Sequence, residues 1–149
     1  MLRHWRFRLM MALRALLSPT VMGVAAAVEG ADGRILLVKH RFDPDWRLPG
    51  GGVNRGEPAQ AAVLRELAEE VGLAGGAAQF FGLYSSPVGW ATAVVAFYRV
   101  SGGTVNFRPN LEIREICFAD PHTPPDGCAP ATLRRLKELT GAAAQSPYW

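Results

Sequence analysis

The chain has 149 residues, of which 49% are hydrophobic and 19% charged, with 16 Lys and Arg against 13 Asp and Glu. That length and apolar content suit one domain with a sizeable core and exclude a disordered chain. The net charge of +3 favours anionic small molecules or a weak, nonspecific attraction to nucleic acid or acidic membranes, and establishes none of them. No apolar run approaches the ~18–20 residues needed to cross a bilayer.

Residues 2–17 are expected to form a helix, because Leu2, Trp5, Leu9, Leu13 and Leu16 recur at three- and four-residue steps. Arg3, His4 and Arg14 fall on the other side, and Ser18-Pro19 ends the helix. Three readings compete for it: a helix docked on the domain or on a partner subunit, a basic amphipathic helix resting on a membrane surface, or a signal peptide whose cleavage site Ala25-Ala26-Ala27 would mimic. Residues 1–18 are therefore set apart from a single domain over residues 19–145.

Val21–Val28 and Ile35–Lys39 are apolar runs around the turn cluster Gly30-Ala31-Asp32-Gly33, and are expected to pair as a hairpin-like unit. Trp46-Arg47-Leu48 is a short strand leading into Pro49-Gly50-Gly51-Gly52. A helix is expected over residues 58–71, with Pro58 at its first position, Glu57 near the N-cap and Gly72 as a left-handed stop. Its apolar stripe is read as Ala61, Ala62, Leu64, Ala68 and Val71. Gly75-Gly76 opens a connection, Ala78–Tyr84 and Ala91–Val100 are strands, Gly102-Gly103 is a turn, and Thr104–Phe107 is its return strand. Leu111–Phe118 is a further strand candidate, and Ala131–Leu139 a last helix, begun by Pro130 and stopped by Gly141. Cys117 and Cys128 have no zinc spacing around them and read as reduced thiols of a cytosolic protein, with a disulfide between them the alternative that nothing in the sequence demands.

The chemistry is concentrated in residues 51–73. Glu66, Glu69 and Glu70 stand at i, i+3 and i+4, within roughly a 100° arc of the helix. Three carboxylates so placed repel one another, and Arg65 alone does not neutralise them. A hard divalent cation would, and oxygen ligands suit Mg²⁺ or Mn²⁺. The glycines before the helix allow close backbone approach.

Written as a pattern, this segment is G-x5-E-x7-R-E-U-x-E-E-x-G-U, with U aliphatic. Gly51, Glu57, Arg65, Glu66, Leu67, Glu69, Glu70, Gly72 and Leu73 fill every fixed position. It resembles the Nudix box, the signature of the Nudix hydrolase family. The resemblance implies an α/β fold, a Nudix-type α/β/α sandwich with a mixed sheet and the catalytic helix after a Gly-rich loop. It implies cleavage of the diphosphate linkage of a nucleoside diphosphate joined to another moiety, such as a nucleotide sugar or an NTP, with Mg²⁺ or Mn²⁺. The expected metal shell is the Gly50 carbonyl with Glu57, Glu66, Glu69, Glu70 and Glu112, and the expected catalytic residues are Glu69, Glu66, Arg65 and Glu112. Glu112 enters because Glu112–Phe118 resembles the E-x5-[WF] strand after the box; Glu115 is its runner-up.

Weaker candidates complete the reading. Arg41 and Trp46 are kept for substrate binding, with packing the alternative for Trp46, and His40 is placed beside Arg41. Phe81, Tyr84 and Trp90 are set against a role in base stacking or in packing. The other class of function is a nucleotide-binding module without chemistry, docked on a membrane or a partner through its first helix. The expected partner is a small nucleoside diphosphate derivative, with no specific nucleic acid; a homodimer stays open because the family often dimerises.

Overall fold

The computed structural model describes residues 2–149, with side chains from Trp5 onward. The elements run α1 (Leu2–Leu17), β1 (Thr20–Val28), β2 (Ile35–His40), β3 (Trp46–Arg47), β4 (Gly50–Gly52), α2 (Ala59–Val71), β5 (Leu73–Val88), β6 (Ala91–Val105), β7 (Ile113–Ala119) and α3 (Pro130–Leu139).

Val24–Val28 of β1 and Ile35–Val38 of β2 alternate between two cores, so both faces of these stretches are buried, while Thr20–Met22 at the start of β1 are exposed. Val24, Ala26 and Val28, with Leu36 and Val38, enter a core roofed by Val63, Leu67 and Val71 of α2. Ala25 and Ala27, with Ile35 and Leu37, enter a second core that holds Leu136 of α3. A strand buried on both sides must read as a continuous apolar run, as these two do. The β-layer therefore lies between α2 and α3, which is the expected α/β/α sandwich.

The sheet is divided rather than single. β4-β1-β6-β5 form a mixed sheet in which β1 is parallel to β6 and antiparallel to β4, while β3-β2-β7 form an antiparallel one. The expected β1–β2 hairpin does not form: only a bridge between Glu29 and Ile35 joins them at the turn. The two runs pack side by side through the shared cores instead, and each satisfies its backbone groups with other strands.

Gly75-Gly76 do not open a connection, and Gly102-Gly103 do not form a turn. Leu73 pairs with Val105, so β5 and β6 are one long ribbon, and Gly75-Gly76 face Gly102-Gly103 inside it. Gly75, Gly76 and Gly102 have positive φ, and a Cβ on Gly76 would stand 3.3 Å from the Gly103 backbone. These residues distort a close-approaching ladder and do not end it. Thr104–Phe107 is therefore no return strand; Thr104 and Val105 finish β6. The true turn is Gly89-Trp90, between the paired residues Val88 and Ala91, with Gly89 at φ 55°.

α2 starts one residue later than expected. Pro58 is its N-cap, at φ −65° and ψ 137°, and Gly72 closes it in the left-handed region at φ 66°. Glu57 does not cap the helix. The stripe facing the core is Ala62, Val63, Leu67 and Val71; Ala61 and Ala68 are exposed and Leu64 half-buried, which corrects the expected face.

α1 does not dock on the domain: its side chains from Trp5 to Leu17 are exposed. Ala25-Ala26-Ala27 lie in the middle of β1, where β4 and β6 pair with it. Among the described residues no helix is long and apolar enough to cross a membrane.

Candidate active site

The site lies where α2 crosses the Gly50–Gly52 strand. β4 pairs with β1 through Gly50 and Ala25. A Cβ on Gly50 would overlap the Val24 carbonyl and come within 2.7 Å of the Ala25 Cα, so no side chain fits there. At Gly51 a Cβ would run into the Glu66 carboxylate. The glycines thus let the acids of α2 reach the strand backbone.

Arg65 organises the first half of the cluster. Its Nε and Nη2 donate to the two oxygens of Glu57 at 2.8 and 2.9 Å, a bidentate pair. Nη1 donates to Glu66 at 2.8 Å and, at 3.4 Å, to Glu69; Nη2 also reaches the Gly52 carbonyl at 2.9 Å. Glu57 further accepts the Asn54 backbone N–H at 2.9 Å. Its hydrogen bond from Arg65, joined by that from Asn54, holds its carboxyl well down, to about 2. The same carboxylates push the Arg65 guanidinium further up.

Glu70 is the opposite case. It is only 4% exposed and lies outside the reach of Arg65's hydrogen bonds. Burial pushes its carboxyl up to about 7, and the charges of Glu66, Glu112 and Glu69 push the same way; the Gly50 N–H, 2.9 Å from its Oε2, pulls against them.

Glu112 comes to this cluster through Asn110, a residue the sequence does not single out. The Asn110 side chain donates to the Glu70 carbonyl at 3.0 Å and accepts the Glu112 and Ile113 N–H groups at 3.0 and 2.8 Å. Glu112 lines a surface hollow with Glu69. Arg41 sits next to it: its backbone N–H bonds the Glu112 carbonyl at 2.9 Å, and its guanidinium bonds the Asn110 carbonyl. Glu115 pairs in the β2–β7 ladder opposite Lys39.

These oxygens suit a hard cation. Gly50, Glu66, Glu69, Glu70 and Glu112 offer only oxygen, and a buried carboxylate with acidic neighbours and one backbone donor gains most from a divalent charge. Among the described residues no three acid, His or Cys side chains already converge on one cation position. Glu66 is turned toward Arg65 and Glu70 toward Gly50.

A cavity of about 240 Å³ opens beside Gly50 and Gly51 on the α3 side, lined also by His40, Arg47, Thr132 and Trp149. Arg47 is held by Asp43 at 2.6 Å. Trp149 packs edge-on to Tyr84 and Phe97. The sequence gives no signal for Arg47, Thr132 or Trp149, because they come from three separated segments. Trp46 is not at the site: it is buried in the second core with the Lys39 ammonium 4.3 Å from its ring centre. Tyr84 is likewise buried, Phe81 packs against Phe97, and Trp90 is exposed on the β5–β6 turn. None of the three reaches the cavity.

The matching family model is the NUDIX domain, over residues 19–140. The putative 8-oxo-dGTP diphosphatase of Bacillus subtilis is 36% identical over 121 residues, covering 81% of this chain and 80% of that one. The ADP-ribose pyrophosphatase of Methanocaldococcus jannaschii is 39% identical over 89 residues, and the match spans about half of each chain, 53%. Among solved structures, the MutT NUDIX hydrolase of Burkholderia pseudomallei superposes with a TM-score of 0.72 at 26% identity, over 82% of this chain and 99% of that one.

Proposed function

The chain belongs to the Nudix family, and from that premise we propose a metal-dependent pyrophosphohydrolase that cleaves the diphosphate linkage of a nucleoside diphosphate joined to another moiety. The observation that carries this reading is the division of labour on α2, with Glu57, Glu66 and Glu69 clamped by Arg65 and Glu70 buried against the Gly50 backbone. A surface helix has no use for that arrangement.

Mg²⁺ or Mn²⁺ would be held by the Gly50 carbonyl, Glu66, Glu69 and Glu70, with Glu57 and Glu112 at its edge. When bound, it supplies neutralisation of phosphate oxygens and a lowered pKa for water. Arg65 fixes the rotamers of Glu66 and Glu69 and keeps Glu57 ionised. Glu112 is the proposed acceptor of the water's proton, being solvent-exposed and ionisable beside Glu69. Arg41, anchored on the same loop, leaves its remaining N–H groups for substrate phosphate.

The nucleoside part is proposed to enter the cavity next to Gly50, with Trp149 offering an aromatic surface and Arg47 and His40 offering donors. The lining of the cavity and the names of the relatives both support a small nucleoside diphosphate derivative or NTP as substrate. A cytoplasmic setting belongs to the same proposal and is supported by the free thiols of Cys117 and Cys128.

The test is release of phosphate or nucleoside monophosphate from a mixed panel of nucleotide sugars, dinucleoside polyphosphates and NTPs, with Mg²⁺ and then with EDTA. Turnover that stops with EDTA is the expected result. Binding of the same compounds without turnover in any metal would sink the proposal.

A further inference from the structure

We propose that α1 and the neighbouring β5–β6 turn form a docking surface for an anionic lipid membrane. The first observation is charge segregation. Residues 2–17 carry Arg3, Arg6, Arg8 and Arg14 and no acid. The whole chain has a net charge of +3, so the rest of it is slightly negative. This segment therefore carries more than the whole of the chain's net positive charge, with no acid to offset it.

The second observation is the exposed apolar stripe. Trp5, Leu9, Leu13 and Leu16 lie along one side of the helix, all half or more exposed, with Arg6 and Arg8 flanking them at helical spacing. A helix lying in the headgroup region buries such a stripe in the acyl boundary while arginines beside it reach the phosphates.

The third observation comes from a distant segment. The Thr92 N–H bonds the Pro19 carbonyl at 3.1 Å, so the β5–β6 turn sits where α1 leaves the domain. Trp90 on that turn is 82% exposed, and Leu17 at the end of α1 is 83% exposed; Val21 and Val88 are exposed beside them. Exposed apolar side chains thus stand on the domain as well as on the helix, at the place where the two join, with a tryptophan among them. An indole, apolar in body and polar at its N–H, favours the membrane–water boundary.

The charge pattern also decides between occupants. A second copy laid on this face would set arginines against arginines. A nucleic acid would neutralise the arginines but leave the leucine stripe in water. An anionic bilayer satisfies both.

The experiment uses the full chain and vesicles of phosphatidylcholine, with or without about a third phosphatidylglycerol. Binding is expected to the anionic vesicles only, and to weaken with added salt. Each arginine removed from the surface is expected to weaken it roughly fivefold, so the double variant Arg6→Glu/Arg8→Glu loses at least ~25-fold. Leu13→Asp is expected to abolish it. Quenching of tryptophan emission by brominated lipid is expected to drop in Trp5→Phe and in Trp90→Phe. All these variants should hydrolyse a small soluble substrate as the parent does. Equal binding to neutral vesicles, or no binding to either, overturns the proposal. So does a lipid-free dimer that Leu13→Asp dissociates, because a second copy would then cover the face.

Discussion

Glu70→Gln should convert a pH-dependent protein into one that is less so. The Glu70 carboxyl stands at about 7 against 4.5 for an unburied glutamate. Below the lower value it is protonated in both the folded and unfolded chain and contributes no pH dependence. Between the two the folded state keeps a proton that the unfolded state has released, so stability falls as pH rises. Above the upper value the loss is complete, about 3 kcal/mol from the difference between the two values, or roughly 6–12 °C in Tm for a chain of this size. Gln keeps the shape and can accept the Gly50 N–H through its carbonyl, but it does not ionise. The assay is thermal unfolding of both proteins in EDTA from about pH 5 to about pH 8. Other groups titrate alike in both, so the difference in Tm isolates Glu70. It should widen with pH in favour of the variant. Adding Mg²⁺ at the alkaline end should raise the Tm of the parent chain and move the variant much less. A difference that stays flat across this range, or a variant that is less stable at alkaline pH without metal, would refute the reasoning.

Four further outcomes follow from the site and its supports. Glu69→Gln should lose roughly 3–4 kcal/mol of transition-state stabilisation, or two to three decades in kcat, with folding unchanged by circular dichroism. Gly50→Ala should unfold at lower temperature as well as lose activity, because its Cβ meets the β1 backbone. Glu138→Ala should cost about 3–5 kcal/mol in urea unfolding, since it strands Arg135, fully buried and paired with Glu138 at 2.7 Å. Trp149→Ala should raise KM for the accepted nucleotide and leave kcat close to its parent value in steady-state kinetics.

The sequence disclosed the site better than the sheet, for a physical reason. Arg65, Glu66, Glu69 and Glu70 are held together by one helix, so their spacing already states their geometry. Gly72 could be read as its stop because a positive φ leaves few alternatives to glycine. Strand pairing has no such local record. Val21–Val28 and Ile35–Lys39 look like hairpin partners, yet β1 takes β4 and β6 and β2 takes β3 and β7. Val24–Val28 and Ile35–Val38 are buried on two faces, and two-sided burial erases the alternation that would have fixed their register. Gly75-Gly76 and Gly102-Gly103 misled for the converse reason: positive φ serves a distorted ladder as readily as a turn. Asn110, Arg47 and Trp149 stayed hidden because their roles exist only across segments that folding brings together.

Arg65 and Glu70 together explain how a helix tolerates so many acids. Arg65 satisfies three carboxylates from one guanidinium, and Glu57, the best paired, is held far below the ordinary glutamate range. That group contributes stability that is full above the ordinary range of a glutamate and is lost progressively as pH falls from there to about 2. Among the described residues Glu70 has no cation partner, and it is pushed the other way. Had Arg65 been placed to pair with Glu70, the cluster would be neutralised internally and a divalent ion would gain little by entering. Leaving the most buried carboxylate unpaired, next to the Gly50 backbone and linked through Asn110 to Glu112, keeps one strong demand for positive charge in the site. On this argument a cation placed by mutation near Glu70, such as Asn110→Lys, should lower the Glu70 pKa, raise the stability of the metal-free chain at alkaline pH and weaken its response to Mg²⁺. Unchanged Mg²⁺ dependence of both Tm and activity in that variant would show that the site's demand for charge does not reside in Glu70.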